Sequence, residues 1–340
     1  MKNRNPISVK IALFALVTLL CSCGKDESFS EGSQDAARQI IVLFAPGGVG
    51  DMGYNDQILR GVQRVNKERD FQLLLTSPSS MDEAEKIFID WLNRDPGEMK
   101  SLFVLAGNEY EEMAMRHLSA DDYTGKEVLL FETRADNIPQ AYTFSITMYG
   151  ACYLAGGIAN IFTDRAAVLC GNSNDHTVHE GSEGFAKGFI EHGGLESPFY
   201  YLSDSWQGYA MPEEAYRKAA ELAPEYRYIF PIAGGSNMGV YRYAREYPYG
   251  FYTAGMDVDQ SQLSTQITCS VVKHIDRLME DYLVQWLDEK ELPRRKVYGM
   301  QSGYIDVALS PHFIQACQGT FDELRNKAIE KEHEHEKNYQ

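Results

Sequence analysis

Residues 40–57, IIVLFAPGGVGDMGYNDQ, decide how this chain folds. Ile40–Phe44 is an unbroken apolar run, too short for a buried helix and rich in β-branched residues, so it reads as a strand covered on both faces. Pro46 and the glycines at 47, 48, 50 and 53 then break regular structure. A helical pattern follows over Asp56–Glu68, where Ile58, Val62 and Val65 recur on one face. Strand, glycine-rich turn and helix form the opening of a βα unit. In open α/β sheets the loops at the carboxyl ends of strands hold the ligand, so this turn is the first place to look for a site.

The unit repeats along the chain. Strands are expected at Gln72–Thr76, Ser101–Leu105 and Glu127–Phe131, and a second series at Ala166–Leu169, Phe199–Leu202, Tyr228–Ile232 and Gly250–Ala254. Helices fall between them near Ala84–Asn93, Glu109–Leu118, Tyr149–Phe162, Ser182–His192, Glu213–Leu222 and Met238–Tyr247. Alternating βα units build parallel sheets with helices on both faces. Two series of similar length imply two lobes, meeting near Asn137–Ser145. The helix YGACYLAGGIANIF is apolar all round and therefore buried, with Ala155, Gly156, Gly157 and Ala159 allowing a close neighbour. After Gln266, Val272, Ile275, Met279, Leu283 and Trp286 recur at helical spacing, and a last βα unit covers Tyr304–Leu309 and Pro311–Lys327.

The amino terminus carries Lys2, Arg4 and Lys10 and then an apolar run from Ile11 to Leu20. That is the layout of a secretory leader, and the run is too short to cross a bilayer, which takes ~20 residues. Leu20-Cys21-Ser22-Cys23 resembles a lipobox, which makes Cys23 the expected lipidated first residue of the mature chain and residues 1–22 the leader. Several acyl chains are needed for a durable anchor. Gly24-Lys25-Asp26-Glu27 resembles the acidic tag of lipoproteins displayed on the outer face of an outer membrane, and residues 23–38 read as a flexible tether.

The formal charge is −17, and removal of the basic leader makes the body more acidic still. Such a body repels polyanions and has no Lys/Arg stripe, which excludes a nucleic-acid polymer as partner. A neutral small molecule suits it better than a phosphorylated one. Cys152, Cys170, Cys269 and Cys317 stand among apolar neighbours and are expected as buried free thiols rather than disulfides. No CxxC spacing, metal set or cofactor is expected.

Gly48-Val49-Gly50-Asp51-Met52-Gly53 is formally a dinucleotide fingerprint, and a dinucleotide-dependent enzyme is the rival of another class. Asp51, however, puts a carboxylate where a pyrophosphate would sit, and Thr76-Ser77-Pro78 stands where the ribose-binding acid belongs. Ser236 follows Gly234-Gly235 but has Met238 in place of the glycine of a nucleophile elbow, so the chain is expected not to be an enzyme.

A different family fits the same stretch. Asp51-Met52-Gly53-Tyr54-Asn55 with Gly61, then Phe144 with the run Gly150–Gly156, GFAKGF at Gly184–Phe189, AGGSNMGVY from Ala233, GMDVDQ from Gly255 and Thr268–Lys273 follow one another in order. This series resembles the basic membrane protein family, the purine-nucleoside-receptor type of type I periplasmic binding proteins. The resemblance implies an α/β, two-lobed type I periplasmic-binding-protein fold, each lobe a parallel sheet flanked by helices, with three interlobe crossings near residues 140, 260 and 297. The lobes would then comprise residues 39–140 plus 260–297 and residues 141–259 plus 298–327, followed by a charged tail at 328–340. It also implies a membrane-anchored solute-binding lipoprotein that captures a small ligand, most readily a nucleoside, for uptake or sensing, with an ABC permease as partner.

By the same resemblance Tyr54 and Trp206 are the two platforms on which a base stacks, and Asp51 and Asn55 belong to the binding loop. Asp257 would accept both ribose hydroxyls, Lys273 would donate to a ribose oxygen, and Gly234 and Gly235 would turn free N–H groups to the cleft. Two positions depart from the family: Ala45 replaces an aspartate that contacts the base, and Glu180-Gly181 replaces Arg-Phe. The first departure keeps a sugar or other small polar ligand open as the alternative. His176 and His179 fall in the expected loop before the helix at Ser182; with no third ligand they read as polar rather than zinc-binding residues. His333 and His335 in EKEHEHEKNYQ read as part of a solvated terminus.

Overall fold

The computed structural model describes residues 30–31, 37–118, 125–135 and 138–338. Cys23, the acidic tag and most of the expected tether lie outside the described residues. The chain builds two sheets. The first holds β1 (Ser30–Glu31), β2 (Arg38–Phe44), β3 (Gln72–Thr76), β4 (Lys100–Ala106), β5 (Lys126–Phe131), β6 (Ala141–Ile146) and β12 (Arg295–Tyr298), in the order β1-β3-β2-β4-β5-β6-β12. The second holds β7 (Ala166–Asn172), β8 (Phe199–Ser203), β9 (Tyr228–Ile232), β10 (Tyr252–Asp257), β11 (Ile267–Lys273) and β13 (Ile305–Leu309), in the order β13-β11-β10-β9-β7-β8. Only β1 and β13 run antiparallel to their neighbours.

The opening run behaves as its composition dictates. Ile40, Val42 and Phe44 face one core, Ile41 and Leu43 the other, and all are buried. Around the first sheet lie α1 (Tyr54–Glu68), α2 (Met81–Asn93), α3 (Glu111–His117) and α8 (Ile275–Leu287); around the second lie α4 (Tyr149–Asn160), α5 (His176–Glu191), α6 (Pro212–Leu222), α7 (Asn237–Glu246), α9 (Ile314–Cys317) and α10 (Phe321–Asn338). The all-apolar α4 is buried against α5, α10 and the second sheet. Glycines set its distance from α5: a Cβ at Gly156 would strike the Phe185 carbonyl, and one at Gly188 the Tyr153 carbonyl. The four body cysteines are buried and free.

Several expectations need correction. The series beginning at Val272 is not one helix. Ile267–Lys273 is a fully paired strand, and only from Ile275 does the chain turn helical. The strand ends one residue before the helix starts, so Val272 fell into the helical register by coincidence. The crossings therefore lie after Ile146 and after Lys273, rather than near 140 and 260, while the third, after Tyr298, falls beside the expected 297. β6 belongs wholly to the first sheet and β11 to the second.

These crossings also explain the antiparallel β13. Strands of both sheets end at the cleft, so a chain that crosses directly from β12 enters the second sheet from the cleft side and must run away from it. α5 begins at His176, six residues before the expectation, because Asp175 caps it through Thr177 N at 2.8 Å. The tail is solvated only in part. α10 continues to Asn338 with His333 exposed as expected, but Ala328 and Glu332 are buried and the His335 ring stacks on Tyr149 at 3.9 Å.

Candidate functional site

The carboxyl ends of both sheets face one cavity of about 370 Å³, within the range of small-molecule sites. All eight residues singled out above line it: Asp51, Tyr54, Asn55, Trp206, Gly234, Gly235, Asp257 and Lys273. The cleft is drawn shut by hydrogen bonds between the lobes. Asn108 Nδ2 donates to Asp175 Oδ1 at 2.8 Å, Gln57 Nε2 to the Asp257 carbonyl at 2.8 Å, and Gln260 Nε2 to the Met52 carbonyl at 3.2 Å. Low-dielectric surroundings strengthen the polar contacts at the cleft's buried floor.

The glycine-rich turn is held from within. Asp51 accepts hydrogen bonds from the N–H groups of Gly53 (2.9 Å) and Asn55 (2.8 Å), and Asp56 from those of Gly50 (2.7 Å) and Met52 (3.0 Å). The Asp51 carboxylate thus satisfies the free N–H groups at the start of α1, the place an incoming anion would use. Asp51 shapes the loop. Asn55 Oδ1 accepts from Ala45 N at 3.0 Å, and in the other lobe Asn237 Oδ1 accepts from Ala233 N at 2.8 Å. Each lobe therefore fastens the end of a central strand to the helix that follows with the same side chain.

Trp206 lies on a short 3₁₀ turn (Trp206–Ala210) after β8. Tyr209 stacks on it with ring centroids 6.0 Å apart and donates a hydrogen bond from its hydroxyl to Asp175 Oδ2. Tyr209 in turn slots against Gly171 and Gly234, where any Cβ would meet its ring. Ser236 Oγ donates to the Gly208 carbonyl at 2.7 Å, tying the Gly234–Ser236 turn to the one that carries Trp206. Tyr54 faces the cavity from the first lobe, and its hydroxyl has no hydrogen-bond partner.

The floor is an ion pair between the lobes. Lys273 Nζ, at the end of β11, lies 2.7 Å from Glu132 Oε1, just beyond β5, with side chains only 4% and 6% exposed. Burial pulls the Lys273 value down, but Glu132, Asp257 and Asp175 outweigh it and hold the ammonium above the ordinary lysine value. Burial and the nearby Asp51 and Glu132 push Asp257 up to about 6, against the pull of Lys273. Asp257 and Glu132 both hold left-handed backbone, φ +69° and +57°. Such conformations cost roughly 1–3 kcal/mol each and gather at functional sites. Gly53 makes room for Asp257, since a Cβ there would lie 3.3 Å from Oδ2.

Sequence reasoning missed Glu109, Glu132, Asp175 and Tyr209, which complete the lining. Glu132 and Asp175 each stand just beyond the carboxyl end of a strand, a signal that was available. With Asp51 and Asp257, five carboxyl groups and the Lys273 ammonium line the cavity. His176 and His179 stand in the first turn of α5, where His179 Nε2 lies 2.7 Å from the Ser173 carbonyl. No group of three His, Cys, Asp or Glu among the described residues could hold a metal ion.

Two lobes of parallel sheet joined by three crossings, with a cavity at their facing strand ends, define a two-domain binding protein. The chain belongs to the PnrA-like family of ABC transporter substrate-binding proteins, whose model matches residues 38–339. It is similar to Basic membrane protein C of Borreliella burgdorferi, with 23% identity covering 95% of this chain and 94% of that one. Basic membrane protein A of the same organism is also 23% identical, covering 96% and 94%. Among solved structures, an ABC transporter solute-binding protein from Aeropyrum pernix K1 superposes with a TM-score of 0.70 at 17% identity, covering 87% of this chain and 86% of that one. A sugar transporter protein from Clostridium phytofermentans does so at 0.60 and 16%, covering 79% and 98%. Membership places the chain among extracytoplasmic, membrane-associated proteins that bind a small molecule for a transporter.

Proposed function

We propose that this protein is a non-enzymatic, lipid-anchored receptor that captures a neutral nucleoside between its lobes for uptake or sensing. One observation carries the reading: two aromatic side chains from opposite lobes, Tyr54 and Trp206, line a single cavity that also holds Asp257 and Lys273. Stacking on an aromatic is worth ~1–3 kcal/mol per base and tolerates any base, because each has a π-face. Asp257 suits a vicinal diol, and Lys273, fixed by Glu132, presents a donor beside it. The carboxylates of Asp51, Glu132, Asp175 and Asp257 disfavour a phosphate, so a nucleotide loses to its nucleoside. The Asp51 carboxylate at the start of α1 argues against a dinucleotide in the same way.

Titration calorimetry with adenosine, guanosine, their monophosphates and ribose tests this. Nucleosides binding at least tenfold more tightly than monophosphates is the expected result, and equal affinity refutes it. Ala45, which lacks the family's base-contacting acid, favours a sugar as the second reading, and binding of ribose or glucose without nucleosides would select it. Cys23 is proposed as the anchor, at an outer membrane, so Cys23→Ala should abolish acyl labelling. Surface display would rule out direct handover to an inner-membrane permease. Digestion of the protein by protease added to intact cells distinguishes display from periplasmic residence.

A further inference from the structure

Two buried polar atoms in the cavity have no hydrogen-bond partner among the described residues: Tyr54 Oη and Glu109 Oε1. Glu109 follows β4 in a short 3₁₀ turn (Asn108–Tyr110), and its carboxyl folds back over Gly107, where any Cβ would collide with it. Gly107 therefore lets an otherwise surface-seeking side chain bend into the cavity, where it is only 8% exposed. Its neighbours at that end are spent. Asp175 takes Asn108 Nδ2, Thr177 N and the Tyr209 hydroxyl, and Asn108 is committed in return. An unpaired buried polar group costs ~1–3 kcal/mol, so a ligand that satisfies Glu109 gains by doing so.

We infer that Glu109 reads the edge of the base, standing in for the acid that Ala45 removes, and that it does so as a neutral carboxylic acid, donating one hydrogen bond and accepting another. This rests on the nucleoside reading. Its place agrees with that role: it lines the same cavity as Tyr54, Trp206 and Tyr209, the tyrosine that stacks on Trp206.

The charged and titratable groups acting on Glu109 are Asp175 from α5 and Glu132 from the end of β5, with Tyr54, Tyr110 and Tyr209 as neutral neighbours. No cation acts on it to hold a negative charge. Burial, then the repulsion of Asp175 and Glu132, against its own backbone N–H, push the carboxyl to about 8. At pH 7 it thus presents O–H beside C=O. That pattern complements an acceptor beside a donor, such as the ring nitrogen and exocyclic amine of adenine. Ionised, it offers two acceptors and faces the adenine ring nitrogen with a lone pair.

The test is adenosine affinity of the full-length protein and of Glu109→Gln at pH 7 and pH 9. Wild-type affinity should fall about tenfold as a group titrating near 8 loses its proton. Glutamine keeps a donor beside an acceptor and does not titrate, so Glu109→Gln should bind adenosine within about threefold of wild type at pH 7 and stay level to pH 9. Glu109→Ala, with its melting temperature checked, should lose about tenfold at pH 7. A wild type that binds adenosine equally at both pH values overturns the role of Glu109 and leaves the nucleoside reading standing. So does a glutamine variant with the wild-type slope. Absence of binding by any nucleoside overturns both.

Discussion

Replacing Lys273 with methionine removes one charge from a pair that joins the lobes. The two side chains are 4% and 6% exposed and 2.7 Å apart. At an effective dielectric of ~20 their attraction is about 6 kcal/mol, most of it set against the cost of taking both ions out of water. Methionine nearly preserves the volume but leaves the Glu132 carboxylate with Ile146 N, at 3.0 Å, as its remaining donor. Stranding one member of a buried pair costs about 3–5 kcal/mol. The ammonium also stands 5.9 Å from the Tyr54 ring centre, so ~0.5–1 kcal/mol of cation–π attraction goes with it. Lys273→Met should therefore lose about 3–5 kcal/mol in urea unfolding followed by circular dichroism and tryptophan fluorescence together. Adding Glu132→Gln removes the stranded charge while keeping the acceptor for Ile146, and should recover most of the loss. A single variant within 1 kcal/mol of wild type, or a double variant as unstable as the sum of the two singles, refutes the reasoning. Because Lys273 is held above 10.5, its contribution is complete below that value and fades only as pH rises beyond it.

Trp206→Ala should weaken every nucleoside by a similar ~1–3 kcal/mol, measured by calorimetry on four bases; a loss confined to one base would mean the indole is not a stacking platform. Asp257→Asn should penalise ribonucleosides more than 2′,3′-dideoxynucleosides, and wild-type ribonucleoside affinity should fall about tenfold from pH 7 to pH 5 as a carboxylate near 6 takes up its proton. Glu332 is buried and pushed to about 8, so its folded form holds a proton that the unfolded chain gives up near 4.5. Its contribution to stability is complete below 4.5 and lost as pH rises to 8. Melting temperatures of Glu332→Gln should fall less between pH 5 and pH 8 than those of wild type.

The fold could be read because its central strands are covered on both faces and so appear as unbroken apolar runs between helical patterns. What escaped were the strands at the crossings. Ala141–Ile146 alternates polar and apolar residues, Arg295–Tyr298 is short and charged, and Ile267–Lys273 abuts a helix with only His274 between them. The site divided along similar lines. Tyr54, Asn55 and Asp257 sit in motifs whose order is distinctive. Glu109, Glu132 and Asp175 are single acids in separate loops, and nothing local to each tells that three strand ends will converge. His335 was misread because alternating charges resemble a solvated face, whereas packing on Tyr149 belongs to a neighbour nearly two hundred residues away.

α10 ends at Asn338 with Glu332 accepting a hydrogen bond from Met300 N, 2.8 Å away at the third crossing, and with His335 lying on Tyr149 just after the first. Gly150 and Gly299 each lack the Cβ that would collide with the Glu332 carboxyl. The end of α10 is thus wedged between the first and third crossings, and it is no inert handle. A trimming of the eight residues from 333 on removes the His335 ring from Tyr149 and should loosen the packing beside the crossings, although no residue of α10 lines the binding cavity.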